Sequence, residues 1–347
     1  MTEGTTIHKR RPRYRGTHPR KFDEKYKELN PEKYAGDVAK VLSRGQTPAG
    51  THRPICVDEI LTALAPKPGE IGIDATLGFG GHTSTILPKL IPGGRLYGID
   101  VDPIELPRTE NRLRALGFSE EVLVVRRMNF AGLPQLLADV PEGFDFVLAD
   151  LGVSSMQIDT PSRGFSFKSV GPLDLRLNPN RGLSAAEFLK TQTVESLAEV
   201  LRLNSDEPHA VRIARAICNR EGTIATTVDL ATVIRAALSF LPKETRAEET
   251  KKSLQRSFQA LRIAVNNEFG VLDQFLNLLP NCLKPGGRVA ILTFHSGEDR
   301  RVKQAFQDGL EAGIYASVSP TPIRPSPAER RDNPRSSCAK LRWAVRN

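Results

Sequence analysis

The sequence predicts an α/β protein: a Rossmann-like parallel sheet interrupted by an all-helical insert. Three observations carry that expectation. Short apolar runs alternate with helical stretches, the pattern of a parallel sheet covered on both faces. The first run ends in a glycine-rich turn and the second in an acid. Residues 164–255, between the fourth and fifth runs, contain helical signals only.

The chain has 347 residues, enough for about two domains. Hydrophobic residues make up 39% and charged residues 26%, a mix that buries a full core and excludes disorder for the bulk of the chain. No run of about 18 apolar residues occurs, which excludes a helical membrane span. The N-terminus lacks the apolar segment of an export signal, so a cytoplasmic location is expected. Cys56, Cys218, Cys282 and Cys338 lie far apart without a CxxC pair. That argues against a clustered metal site and for a reducing compartment, and no metal is expected.

Residues 1–50 read as a basic arm. Residues 8–27 hold nine Lys or Arg against Asp23 and Glu24, with Tyr14, Tyr26 and Tyr34 in or just after them. Basic and aromatic side chains together fit nucleic-acid contact; a solubility tail and a transit peptide are the alternatives. A helical patch at 22–42 and a Gly/Pro linker around Gly45, Pro48 and Gly50 complete the arm. Strands are expected at 71–75, 95–99, 122–125, 144–149, 288–294 and 340–345. In the insert, Ser184 and Glu187 form a capping box, and helices are expected at 210–219 and 228–238. From Leu254 to Leu279, apolar residues three or four apart predict one buried helical stripe. A helix at 298–308 and a proline-rich loop at 320–327 precede the last strand.

After the first strand, Gly78, Gly80 and Gly81 allow a tight turn and close approach of a ligand. Asp100 ends the second strand, where an adenosine ribose is held in such folds. The spacing Gly78-x-Gly80-Gly81-x-Thr83 is imperfect for a pyrophosphate, so a nicotinamide dinucleotide is the weaker ligand. A sulfonium is positive, and Asp74, Asp100, Asp102 and Asp150 all fall near strand ends, which favours S-adenosylmethionine. Helix capping is the plain alternative, strongest for Asp102 before Pro103.

Longer motifs then point to a family. Asp150-Leu-Gly-Val-Ser-Ser155, Arg163-Gly-Phe-Ser-Phe167, Gly171-Pro-Leu-Asp-Leu-Arg176, Ser257-Phe-Gln-Ala-Leu-Arg-Ile-Ala-Val-Asn266, Thr293-Phe-His-Ser296 and Asn333-Pro-Arg-Ser-Ser337 occur in order. From about His52 to Arg346 the chain resembles the bacterial small-subunit (16S) rRNA cytosine-N4 methyltransferases. The resemblance implies a class I methyltransferase fold at 51–163 and 256–347, with a helical RNA-recognition insert at 164–255. It implies S-adenosylmethionine as methyl donor and small-subunit rRNA, or the assembling 30S subunit, as partner. The oligomeric state stays open, a dimer among the options. By match of position, it implies that Gly80, Gly81, His82, Asp100, Phe130, Asp150 and Gln157 contact the donor. Read alone, Phe130 is a core residue and Gln157 a loop residue. Departures are the arm, longer than the family usually shows, and Phe79, Asn178, Gly297 and Pro107.

The chemistry needs a nitrogen held on the C–S axis and an acceptor for its proton. Asp150 and residues 151–155 are the leading acceptors, though Asp150 equally fits donor binding alone, and Ser154 and Ser155 fit a turn cap. His295 follows the fifth strand and is a second catalytic candidate. Phe165 and Phe167 fit a stacking site for an unpaired base or a hydrophobic lid. Arg176, Arg256, Arg262 and Arg300 are candidate phosphate contacts. A non-catalytic RNA-binding protein with the same fold is the competing function.

Overall fold

The computed structural model describes residues 54–347. The arm, its helical patch and the Gly45–Gly50 linker lie outside them. Helix α1 (Val57–Leu64) leads into β1 (Ile71–Asp74), α2 (Gly81–Leu90), β2 (Arg95–Asp100), α3 (Glu105–Ala115), β3 (Leu123–Arg127), a 3-10 segment (Phe130–Ala138), β4 (Phe144–Asp150) and α4 (Ser155–Asp159). The helical region follows: α5 (Ala185–Lys190), α6 (Val194–Ser205), α7 (Ala210–Cys218), α8 (Thr227–Ala237) and α9 (Lys243–Asn266). Helix α10 (Glu268–Cys282), β5 (Leu283–Thr293), α11 (Ser296–Glu311), β6 (Tyr315–Val318), α12 (Pro327–Asp332) and β7 (Lys340–Arg346) return the chain to the sheet.

The sheet order is β3-β2-β1-β4-β5-β7-β6, the Rossmann-like class I arrangement expected. The strands alternate between two cores because side chains point to opposite faces with period two. Val147 and Ala149 pack on one face with Ile73, Tyr97 and Phe275. Phe146 and Leu148 pack on the other with Leu96, Ala290 and Leu292. The β1 to β5 strands are parallel, but β7 runs antiparallel to both β5 and β6. The uniformly parallel sheet expected is thus corrected at one edge. Strand β6 had no sequence signal: four residues, Tyr-Ala-Ser-Val, are too short to show an alternation. Helix α1 was also not anticipated.

The helical region has its own core, in which Leu201, Ile213, Ile234, Leu254, Phe258 and Leu261 meet. Ser184 caps α5 with Glu187 in the expected reciprocal box. Residues 164–184, expected to be helical, form a loop pinned by a bridge between Pro172 and Thr226. The stripe from Leu254 to Leu279 is not one helix. Asn267 takes the left-handed conformation (φ 49°) and breaks it, a position that asparagine tolerates better than most residues. Before the break Leu254, Phe258 and Leu261 serve the helical core. After it Leu272, Leu276 and Leu279 serve the sheet. The boundary expected at 255/256 falls inside α9.

Candidate functional site

The glycine loop between β1 and α2 is shaped by its neighbours. Gly78 and Gly80 have φ of 47° and 75°, values that need glycine. A Cβ on Gly80 would lie 3.0 Å from the Thr109 methyl, so α3 packs directly against the turn. Thr109 donates to the Gly78 carbonyl at 2.6 Å. Phe79, an unusual residue for this place, lies under the Arg112 guanidinium at 3.5 Å from the ring centroid. Beneath the loop Asp74 is buried and accepts from Thr83 Oγ1 at 2.7 Å. Burial pushes its carboxyl above the usual range despite those hydrogen bonds.

Asp100 sits at the end of β2, facing the loop. Its Oδ2 accepts from the Gly78 amide at 2.8 Å and its Oδ1 from the Asp102 amide at 2.9 Å. Each oxygen keeps a further lone pair for a hydroxyl donor. Desolvation is the largest influence on it, and the group is pushed up to about 6. Asp102 is different. Its Oδ2 accepts from Gln157 Nε2 and Arg163, both at 2.7 Å, and its Oδ1 from the Ile104 and Glu105 amides. Its role is to anchor α3 and the following loops, so it does not join the acids available to a cation. Gln157, expected at the donor, spends its amide on Asp102 and on the Ser154 amide. Ser154 caps α4. Phe130 packs edge-on against Phe275, with ring centroids 5.1 Å apart.

Asp150 closes β4, beside β1 in the sheet. Its backbone amide donates to Thr76 Oγ1 at 2.6 Å. Its Oδ2 lies 3.5 Å from His82 Nε2. Its Oδ1 and both imidazole nitrogens of His82 are buried with no hydrogen-bond partner among the described residues. Burial by itself disfavours charge on His82. The Asp150 carboxylate outweighs it, with Asp74 and Glu329 adding to the pull, and the imidazole is shifted upward. Sequence reasoning named both residues but not the pairing. Adjacency of β1 and β4 was the signal that would have predicted it.

His295 caps α11, accepting from the Glu298 amide at Nδ1 (3.4 Å), and its Nε2 is 3.1 Å from Glu298 Oε1. Burial alone would raise Glu298; His295, Arg262 and the Phe294 amide together outweigh it, and the carboxyl is held below its ordinary value. Glu268, His295 and Glu298 bring three ligand-type atoms within 4.8 Å of one another. Both Glu268 oxygens, however, are held by Arg262 at 2.8 Å, and the Phe294 amide takes Glu298 Oε2. A cation there would compete with a guanidinium, so the cluster reads as an ion-pair network that fixes His295. Gly297 belongs to it: a Cβ there would run into the Phe269 ring.

The four arginines expected to meet phosphates all have internal partners. Arg176 holds Asp174 and the Gly182 carbonyl, Arg262 holds Glu268, Arg300 holds Asp206, and Arg256 lies 4.0 Å from Glu207. Their spacing on helices and loops gave no hint of these acids. Phe167 packs on Phe258, with centroids 5.6 Å apart, and Phe165 lies 5.8 Å from Arg163. Both are half-buried at the edge of the helical core.

Comparison with known proteins supplies the wider frame. A model of the MraW methylase family matches residues 49–347. Ribosomal RNA small subunit methyltransferase H 2 of Alkaliphilus metalliredigens is 56% identical, covering 97% of each chain. Ribosomal RNA small subunit methyltransferase H 1 of Lachnoclostridium phytofermentans is 55% identical over 98% of this chain and 93% of its own. The protein of that name from Agathobacter rectalis is 54% identical over 98% of both. Coverage of that extent takes in most of the N-terminal arm, which these relatives share, whereas the family model begins at residue 49.

Proposed function

Since the chain belongs to the MraW methylase family, we propose that it transfers a methyl group from S-adenosylmethionine to the N4 amine of a cytidine in the decoding centre of small-subunit (16S) rRNA. The observation that carries this reading is the unpartnered carboxylate oxygen of Asp150 beside the glycine loop. A positive donor and a proton-releasing amine both call for such a group. The donor set fits: acids crowd the ends of β1, β2 and β4, and the guanidinium of buried Arg163 is neutralised by Asp102.

S-adenosylmethionine, when bound, supplies a methyl group on a positively charged sulfur. Asp100 offers its two remaining lone pairs to the ribose hydroxyls. Gly80 and Gly81 leave the backbone open for close approach, and Phe130 offers an apolar edge to the adenine. Asp150 Oδ1 accepts a hydrogen of the amine, which concentrates electron density on nitrogen and receives the proton released. His82, 3.5 Å from the other oxygen, stabilises the charge of Asp150 before the transfer. His295, locked by Glu298, lies at the end of β5 on the same edge and orients the loop that faces the base.

Residues 51–163 and 256–347 form the catalytic domain in this reading, and 164–255 the region that recognises RNA. The arm at 1–50 contacts the RNA backbone. The partner is small-subunit rRNA or the assembling 30S subunit, in the cytoplasm. Among the described residues no helix is long and apolar enough to cross a membrane. Mass spectrometry of rRNA nucleosides from cells with and without the gene tests the proposal: N4-methylated cytidine should disappear with the gene, and unchanged content would overturn it.

A further inference from the structure

The helical region contains a cavity of about 500 Å³ between the end of α8 and the first half of α9. Four cations line it, Arg235, Lys243, Arg246 and Lys251, over a floor of Phe167 and Leu254, and no acid does. The distribution comes from helix geometry. Lys243, Arg246, Lys251 and Leu254 follow one another at spacings that return to a single face of α9. Glu248 and Glu249 are not part of the lining; Lys252 engages both at 2.8 and 3.4 Å, and Lys251 adds a weaker pull on Glu248. Arg246 is half-buried and aimed by the Leu241 carbonyl, which accepts from its Nε and NH2. Arg235, Lys243 and Lys251 are exposed, with no hydrogen bond or ion pair among the described residues. In this respect they differ from Arg176, Arg256, Arg262 and Arg300.

A groove of unspent cations over an apolar floor matches a chain of phosphates carrying bases. It is also tied to the sheet's ligand edge. Arg163 holds Asp102 beside Asp100, and four residues later the same loop delivers Phe167 to the groove. Four residues span at most about 14 Å, so the loop that anchors Asp102 near the sheet's edge also reaches the groove. An amine that is methylated must be unpaired or flipped out of a helix, and a single strand offers both its phosphates and its base faces to such a groove.

We propose that the Arg235–Lys243–Arg246–Lys251 groove holds the sugar–phosphate backbone of a single-stranded segment of the substrate RNA, next to the nucleotide that is modified. The proposal rests on the RNA methyltransferase reading above and adds the place where the strand runs. The test uses the full chain and a single-stranded RNA oligonucleotide, followed by fluorescence anisotropy across a salt series. Replacing Arg235, Lys243 and Lys251 together by Ala should reduce the salt slope by about 2, at about 0.7 for each phosphate no longer neutralised. Affinity should fall by about tenfold or more. Lys251→Ala alone should reduce the slope by about 0.7. Lys252→Ala removes the same charge one residue away, outside the groove lining, and should cost less in slope and affinity than Lys251→Ala. Donor affinity by calorimetry should be retained in every variant, showing that each is folded, and the loss on methylation should fall on KM for RNA. Equal RNA affinity and salt slope in the triple variant and the wild type would overturn the groove while leaving the function standing. So would a Lys252→Ala loss equal to that of Lys251→Ala. A wild-type chain that neither binds nor methylates RNA would overturn both.

Discussion

The C-terminal edge of the sheet gathers Asp74, Asp100 and Asp150 around a glycine loop, whereas the α8–α9 face of the helical region gathers Arg235, Lys243, Arg246 and Lys251. The acids are mostly withdrawn from water, and burial raises the carboxyls of Asp74 and Asp100. Three of the cations stand in solvent. A buried charge acts singly and strongly, and loss of its partner is costly. An exposed charge is screened and acts by number. The difference suits a positive donor held at one place and a negative polymer held along a strand. It also predicts how each region responds to substitution.

The largest effect is expected at the link between the two. Arg163→Ala removes the guanidinium that neutralises buried Asp102. Leaving a buried charge unpaired costs about 3–5 kcal/mol, readable by urea unfolding. A loss under about 1 kcal/mol would mean that Asp102 is not the buried anchor described. Next is Asp150→Asn, which preserves size and removes the acceptor charge. Single-turnover methylation at saturating donor should slow by about a hundredfold, within the usual range for general base catalysis. A near-normal rate would confine Asp150 to donor binding and leave residues 151–155 as acceptors.

Asp100→Ala should weaken donor binding by about tenfold, since charge-assisted hydrogen bonds contribute about 1.5–3 kcal/mol each; an unchanged dissociation constant would remove Asp100 from the site. The same residue predicts two opposed pH responses. Its carboxyl is raised from 3.8 to about 6 in the folded protein. Its contribution to stability is therefore full below about 3.8 and lost as pH rises through about 6. Donor affinity goes the other way, rising over that window as the carboxylate ionises and gains acceptor capacity. Calorimetry and unfolding curves between those limits should diverge in the wild type, and the Asp100→Asn variant should lose the Asp100-linked part of both trends. The smallest effect is at the joint. Asn267→Ala places a Cβ-bearing residue without a polar tip in the left-handed conformation, at about 1 kcal/mol. Asn267→Gly should be close to neutral by the same unfolding measurement.

The strands, the glycine loop and the place of Asp100 were legible in the residues, and so were the capping box at Ser184 and most helices of the insert. Each depends on neighbours a few positions away. The break at Asn267 was hidden because the apolar spacing continues across it; the stripe changes partner without changing period. Strand β6 was hidden by its length and its edge position. Gln157 and the four arginines were assigned by position or by charge, and neither reveals the partner a side chain will find. The motifs before Phe167 and after Ser257 pointed to the site, but the cations of the groove lie outside every motif and were missed.

What the sequence by itself determined is what short-range physics controls: the period of burial, the turn that only glycine permits, and the acid at a strand end. The pairing of His82 with Asp150 was decided only by the tertiary structure, as were the capture of Asp102 by Gln157 and Arg163 and the neutralisation of Arg262 by Glu268. The distinction between a spent arginine and a free one was decided there too. The reason is the range of the interaction. His82 and Asp150 meet because β1 and β4 are neighbours in the sheet, and strand order follows from the packing of the whole chain around its two cores. A charge left in water and a charge folded against an acid look the same until that packing is complete.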